Sequence, residues 1–246
     1  MVKKEKKMNY QKILKPVAVI IFLLGLVAFV ISYRNPSAQT IGSGKAMPSF
    51  TATYSQTFTP SGSERPWVQS RIERWQKSDG SWKEITTDYD KEGVTIGTYT
   101  KYAVNGRGLF RIAENDKQLR FLSARPDVIP AFSQESFRKS PNFSGESAVV
   151  GYKTLIERIT QEDGSTTEFH HAPELNGLVM KIISTSEAGI TVIEATEIQI
   201  RTISDSEYGV MPDYPVVYDS YKNASDSTRA NGNPDAAKEM EKNIPK

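Results

Sequence analysis

The stretch Thr167–Ile182, "TEFHHAPELNGLVMKI", decides how the chain is read, because it holds both histidines of the protein and a chain reversal together. Thr167–Ala172 reads as a strand: it is short and rich in β-branched and aromatic residues. Pro173 cannot donate to a ladder, and Asn176-Gly177 supplies the positive φ angles of a tight turn before "LVMKI" runs back. Adjacent strand side chains point to opposite faces, so His170 and His171 do not converge on one metal ion. No His-x-x-x-His, His-Glu-x-x-His or Gly-x-Ser-x-Gly spacing supports them. The two imidazoles read as a strand end entering a corner. A catalytic pairing of one of them with Glu168 or Glu174 is the rival reading.

Moving outward, the same rhythm repeats. Around this hairpin lie "AVVGYKTLIERITQ", Asp163-Gly164, Ala188-Gly189 and "ITVIEATEIQIR", with turns every twelve or thirteen residues. An earlier run has turns at Asp79-Gly80, Glu92-Gly93, Asn105-Gly106 and Asn115-Asp116. Spacing of this kind is that of an antiparallel meander. In "FTATYSQTF" Phe50, Ala52, Tyr54 and Phe58 share one face. Trp67 and Trp75 are eight apart in a second strand, which places them on one face. In the last strand Ile190, Val192, Ile198 and Ile200 share a face with Glu194 and Thr196. Glu194 is therefore an acid on an apolar face, with Arg158 as the expected counter-ion. Between the runs, Pro126, Pro130 and Pro141 forbid a central strand, and "AFSQESFRK" reads as a short helix carrying Phe132 and Phe137. The two meanders and this helical link predict a mainly β domain: one curved antiparallel sheet or incomplete barrel, with the link as cover or plug. The proline- and tyrosine-rich "DSEYGVMPDYPVVYDSY" predicts an extended strap that joins the sheet only at an edge.

The termini carry different information. Residues 1–34 hold six Lys, one Arg and one Glu around the uncharged run Pro16–Ile31. A basic flank followed by an apolar run marks a signal peptide or signal anchor. The run is about 16 residues, roughly 24 Å of helix at ~1.5 Å per residue, against a hydrocarbon core of ~30 Å. Snorkelling by Lys15 and Arg34 extends its reach. The reading is an uncleaved, single-pass anchor in the inner membrane, with the rest of the chain in the periplasm or outside the cell. Cleavage after Ala38 is the alternative, with Pro36 a poor residue at its −3 position. Residues 35–46 form a linker, 47–221 the β domain, and 222–246 a polar tail with the composition of disorder.

Net charge is +2 for the whole chain, but residues 35–246 carry 24 basic and 28 acidic residues, a balance of −4. A mildly acidic domain excludes a nucleic-acid surface. The absence of cysteine excludes disulfide stapling and thiol chemistry. No cofactor or metal is indicated.

The strand "GYKTLIERITQEDG", the segment "TTEFHHAPELNG" and the return strand "LVMKIIST" resemble the C-terminal half of the outer-membrane lipoprotein carrier and sigma-factor regulator superfamily over residues 148–218. His171 stands where the family carries an aromatic. The resemblance implies an incomplete barrel wrapped around a short helix, with an apolar concavity for acyl chains or a protein partner, and brings no catalytic residues. The expectation is thus a non-catalytic, membrane-anchored envelope protein, a carrier or sensor for a lipid or lipoprotein ligand or for a protein partner. Its concave face is expected at Met47, Phe50, Tyr54, Trp67, Trp75, Phe132 and Phe137. The alternative is a structural or assembly component of the cell surface or secretion apparatus with a solid core.

Overall fold

The computed structural model describes residues 48–123, 125 and 131–218. The expected anchor over 1–34, the linker, Met47 and the polar tail lie outside the described residues. Among the described residues no helix is long and apolar enough to cross a membrane.

The first meander comprises β1 (Phe50–Pro60), β2 (Trp67–Gln76), β3 (Trp82–Tyr89), β4 (Thr95–Val104), β5 (Gly108–Ala113) and β6 (Gln118–Ser123). Helix α1 (Gln134–Arg138) opens the second half, followed by β7 (Phe143–Val149), β8 (Tyr152–Thr160) and β9 (Thr166–Ala172). A 3-10 turn (Pro173–Leu175) leads into β10 (Leu178–Ser186) and β11 (Gly189–Ile200), and the exit strap holds α2 (Asp205–Tyr208) and β12 (Val216–Val217). All twelve strands join one open, curved sheet in the order β12-β6-β5-β4-β3-β2-β1-β11-β10-β9-β8-β7. The two meanders meet where β1 pairs antiparallel with β11, from Phe50 opposite Ile200 to Pro60 opposite Gly189. Only β12, at the edge of β6, is parallel to its neighbour, the edge position its flanking prolines require.

The turns behave as their sequences dictate. Asn176 ends the 3-10 turn at φ 53° with Gly177 at φ 78°. At Gly189 an added Cβ would lie 2.1 Å from the Thr59 carbonyl oxygen. Glycine is required there because β1 and β11 approach so closely.

One core gathers on the β1 side: Phe50, Ala52 and Tyr54 pack with Val149, Ala172, Leu175, Leu178, Met180 and Ala195. On the other face, Trp75 lies opposite Lys83, Lys83 opposite Tyr102, Tyr102 opposite Phe110, and Phe110 opposite Phe121. The exit strap covers this row with Ile203, Tyr208, Met211, Tyr214 and Val216.

Three face assignments made from strict alternation are corrected by β-bulges. Trp75 pairs with Thr51 but Trp67 pairs with Phe58, because the register slips by one residue beside Gln69. The two tryptophans therefore lie on opposite faces of the sheet. In β11 the register slips at Thr196, so Ile198 and Ile200 fall opposite Ala52 and Phe50, whereas Ile190 and Val192 fall opposite Thr59 and Thr57. Glu194 accordingly faces away from the core and pairs with Lys181 at 3.0 Å, while Arg158 pairs with Glu168. An extra residue in one strand of a pair re-aims every side chain beyond it.

Phe50 is fully buried where the two meanders meet. Phe50→Ala is expected to cost about 3–5 kcal/mol, read as a lowered urea midpoint with an unchanged m-value. Val94→Ala, at an exposed position, should leave the midpoint within about 0.5 kcal/mol of the parent.

Candidate functional site

Of the seven positions expected on the concave face, the six that are described are not assembled into one trough. Met47 lies outside the described residues. Phe50 is sealed in the core, and Trp75 packs under the exit strap against Tyr102 and Tyr208. Phe132 and Phe137 form a separate cluster. Tyr54 and Trp67 both border an open groove of about 630 Å³, but the Tyr54 side chain turns into the core.

The groove is bounded by the beginning of β2, the adjoining stretches of β1 and β11, and the β3–β4 turn. Its apolar surface comes from Trp67, Val68 and Tyr89, and its charges from Arg71, Asp90, Lys91, Glu92 and Glu197. The turn is rigid: the Asp90 carboxylate accepts from the backbone N–H of Glu92 (3.1 Å) and of Val94 (2.8 Å), and Gly93 takes φ 81°. Trp67 is held edge-on to Phe58 at 5.1 Å, and the Lys91 ammonium sits 5.0 Å over its ring. A cation over an indole face leaves the ring ordered and partly wet. Arg71 pairs with Glu73 at 3.0 Å on the exposed rim.

The Phe50 face does not continue as apolar surface across β2–β4. In register with Ala52 come Arg74, Glu84, Lys101 and Arg111. Arg74 reaches Glu84 at 2.7 Å and lies over the rings of Trp82 and Tyr54, at 4.6 and 5.6 Å. Lys101 reaches the other carboxylate oxygen at 3.4 Å. Burial pushes the Glu84 carboxyl up, but Lys101 and Arg74 together outweigh it and hold it below the usual carboxylate range.

Helix α1 covers the far end of the sheet. Ser133 caps it by accepting from the Ser136 N–H, and the Phe132 N–H donates to Asn176 Oδ1 at 2.6 Å. Phe132 rests on Gly177, where a Cβ would come within 2.2 Å of its ring. Phe132 stacks on His171 at 6.0 Å and Phe137 meets the same imidazole edge-on at 4.9 Å. His171 also places Nδ1 3.2 Å from the Gly177 carbonyl and Nε2 3.5 Å from Glu157. The imidazole thus does the packing work of an aromatic residue beneath the helix.

His170 lies on the other side of β9. It is 5% exposed, pairs in register with Lys181, and its Nε2 stands 3.7 Å from Glu168, beyond hydrogen-bond reach. Burial, reinforced by the Lys181 ammonium, holds its pKa below the ordinary value. The two histidines therefore serve different faces. Among the described residues no three His, Asp or Glu side chains are grouped to hold a metal ion.

No family model matches the sequence, and no curated protein matches it. The fold is similar to solved structures. One is an uncharacterized conserved protein from Thermus thermophilus, at 9% identity over 70% of this chain and 91% of that one, with a TM-score of 0.42. Another is the complex of Pseudomonas aeruginosa MucA and MucB, at 18% identity over 69% of this chain and 58% of that one, TM-score 0.40. A third is a LolA superfamily protein from Nitrosomonas europaea, at 11% identity over 68% of this chain and 92% of that one, TM-score 0.35. At these identities the likeness is one of fold alone. The chain spans little more than half of its counterpart in the Pseudomonas complex.

His170 gives a pH dependence of known sign. With its folded-state pKa depressed, the unfolded chain takes up the proton first as pH falls below ~6.5. Its contribution to stability is present above that pH and is lost on acidification. The melting temperature is expected to fall between pH 7.5 and 5.5, and His170→Leu should flatten that slope.

Proposed function

We propose that this chain is a non-catalytic, membrane-anchored envelope protein whose β domain holds an extended segment of a protein partner in the Trp67 groove. The observation that carries this reading is the character of the groove: open along its length, with tryptophan and tyrosine side chains set among carboxylates and ammonium groups. An acyl chain requires an enclosed, mainly apolar pocket. An extended peptide supplies both apolar side chains for the Trp67–Tyr89 surface and backbone polar groups for the charged rim. Ordered aromatics beside rim charges are typical anchors of such interfaces. In this reading the lysine-flanked run Pro16–Ile31 fixes the chain in the inner membrane, and the domain works in the periplasm or outside the cell as a sensor or assembly factor. Its acidic balance fits a binding role.

A photo-cross-linking amino acid placed at Val68 of the full chain, in its native cells, is expected to capture a discrete protein partner. Trp67→Ala should weaken that complex by about 2 kcal/mol, roughly 30-fold in Kd, without lowering the melting temperature appreciably. Saturable, stoichiometric binding of a fluorescent long-chain fatty acid, insensitive to Trp67→Ala, would overturn the peptide reading and favour a lipid carrier. No adduct and no lipid binding would leave the solid-core structural role.

A further inference from the structure

One cross-strand row sets like charges against each other. Arg74 lies opposite Glu84, and Glu84 opposite Lys101. Beyond them the register places Lys101 opposite Arg111 and Arg111 opposite Arg120, one residue each from β4, β5 and β6. Like charges directly opposite in an antiparallel pair destabilise a sheet. Here two such pairs adjoin, within a stretch, residues 35–246, whose charge balance is −4. The carboxylates that reach the row among the described residues are already engaged. Glu84 holds Arg74 and Lys101, and Asp116 meets Arg120 at 3.2 Å in an exposed pair. Arg111, between Lys101 and Arg120, is exposed and has no ion pair among the described residues. Its guanidinium lies 4.3 Å over the Tyr99 ring, and the Lys101 ammonium lies 5.3 Å over the same ring. The ring's negative face offsets part of the repulsion and keeps the two cations side by side. A local arrangement that works against folding marks a functional surface.

We infer that Lys101, Arg111 and Arg120 bind an acidic, extended segment of a polypeptide partner. None of the three borders the Trp67 groove, so this is a second surface, independent of what the groove holds. The cations stand in a line, one per strand at about 4.8 Å, rather than around a point. A compact anion engages one or two of them, whereas an occupant that carries its charge along a line engages all three. An extended peptide with acids at alternate positions presents its carboxylates on one face about 6.8 Å apart. Long Lys and Arg side chains bridge the difference between the two spacings. The planar guanidinium groups of Arg111 and Arg120 match carboxylates in a bidentate fashion, and Lys101 adds a point charge. Bound carboxylates replace the repulsion among the cations with attraction.

The test uses a fluorescent synthetic peptide of alternating glutamate and threonine, titrated onto the full chain in neutral detergent. Saturable binding is expected, weakening as salt is raised. Arg111→Gln should weaken it about tenfold, and Arg111→Glu should abolish it. Trp67→Ala should leave it unchanged, which separates this surface from the groove. Because Arg111→Gln removes a charge flanked by two like charges, it should not lower the melting temperature at low salt. Three results overturn the inference on binding grounds: no saturable binding, binding unchanged in the Arg111→Gln/Arg120→Gln double variant, or tighter binding of phosphatidylglycerol vesicles through the same residues. The last would make lipid phosphate the occupant. A marked fall in the melting temperature of Arg111→Gln also overturns it, since the arginine would then serve packing on Tyr99.

Discussion

The pairing of β1 with β11 is the constraint on which the molecule depends. Phe50 opens the first strand and Ile200 closes the eleventh, yet they are neighbours in space. Without this seam each meander would be a sheet with one long bare edge and an uncovered apolar face. With it, β1 becomes the central strand, hydrogen-bonded along its length to β2 on one side and β11 on the other. The entropy of closing so long a loop grows only slowly with its length, so the seam is thermodynamically accessible. It is nevertheless a non-local contact that has to wait for the hairpins on either side. Fully buried Phe50 and the closely packed Gly189 lie at opposite ends of the seam and hold its register.

The groove follows from the same seam. A bulge in β2 at Gln69 lies beside Gln56 and Thr57, and a bulge in β11 at Thr196 lies beside Thr53 and Tyr54. Two extra residues thus flank the middle of β1 on both sides, and bulges locally strengthen twist and bend the strand that contains them. There the beginning of β2 parts from β3: the β2–β3 ladder starts only at Ser70 opposite Asp88. Trp67 and Val68, freed from β3, meet the β3–β4 turn across the resulting gap. The site is a by-product of how a twelve-stranded sheet bends, lined by whichever side chains the bulges re-aim.

This explains which parts were legible in the sequence. Strand positions, turn positions, the two meanders, the helical link and the edge-joining strap are written in local signals: period-two patterning, Asn-Gly and Asp-Gly pairs, and prolines. The corner at Pro173–Gly177 and the separation of His170 from His171 were legible for the same reason. Face assignments beyond a bulge were not, since neither Gln69 nor Thr196 announces itself, and one unpaired residue moved Trp67 away from Trp75 and turned Glu194 outward. The groove residues Arg71 and Tyr89 were missed because they meet only once β1, β2 and β3 are in register, and Glu197 joins them only once β11 has found β1. The Arg74–Glu84–Lys101 contact was hidden likewise, as three unremarkable charges until the register of β2, β3 and β4 aligns them.

The distribution of polarity over the two faces narrows what the domain can hold. On the Phe50 face, Arg74, Glu84 and Lys101 form a charged row in register with Ala52. Glu84 is already buried and takes its hydrogen bonds from Arg74 and Lys101, so the row is satisfied within the sheet. On the opposite face the apolar row from Trp75 to Phe121 is already closed by the chain's own strap, through Ile203, Tyr208, Met211 and Tyr214. At the far end Phe132 and Phe137 fill the space above His171. The sheet thus satisfies most of its own apolar surface. Among the described residues it leaves the mixed wall of the groove, and an extended polypeptide, which brings its own hydrogen-bonding groups, suits such a wall.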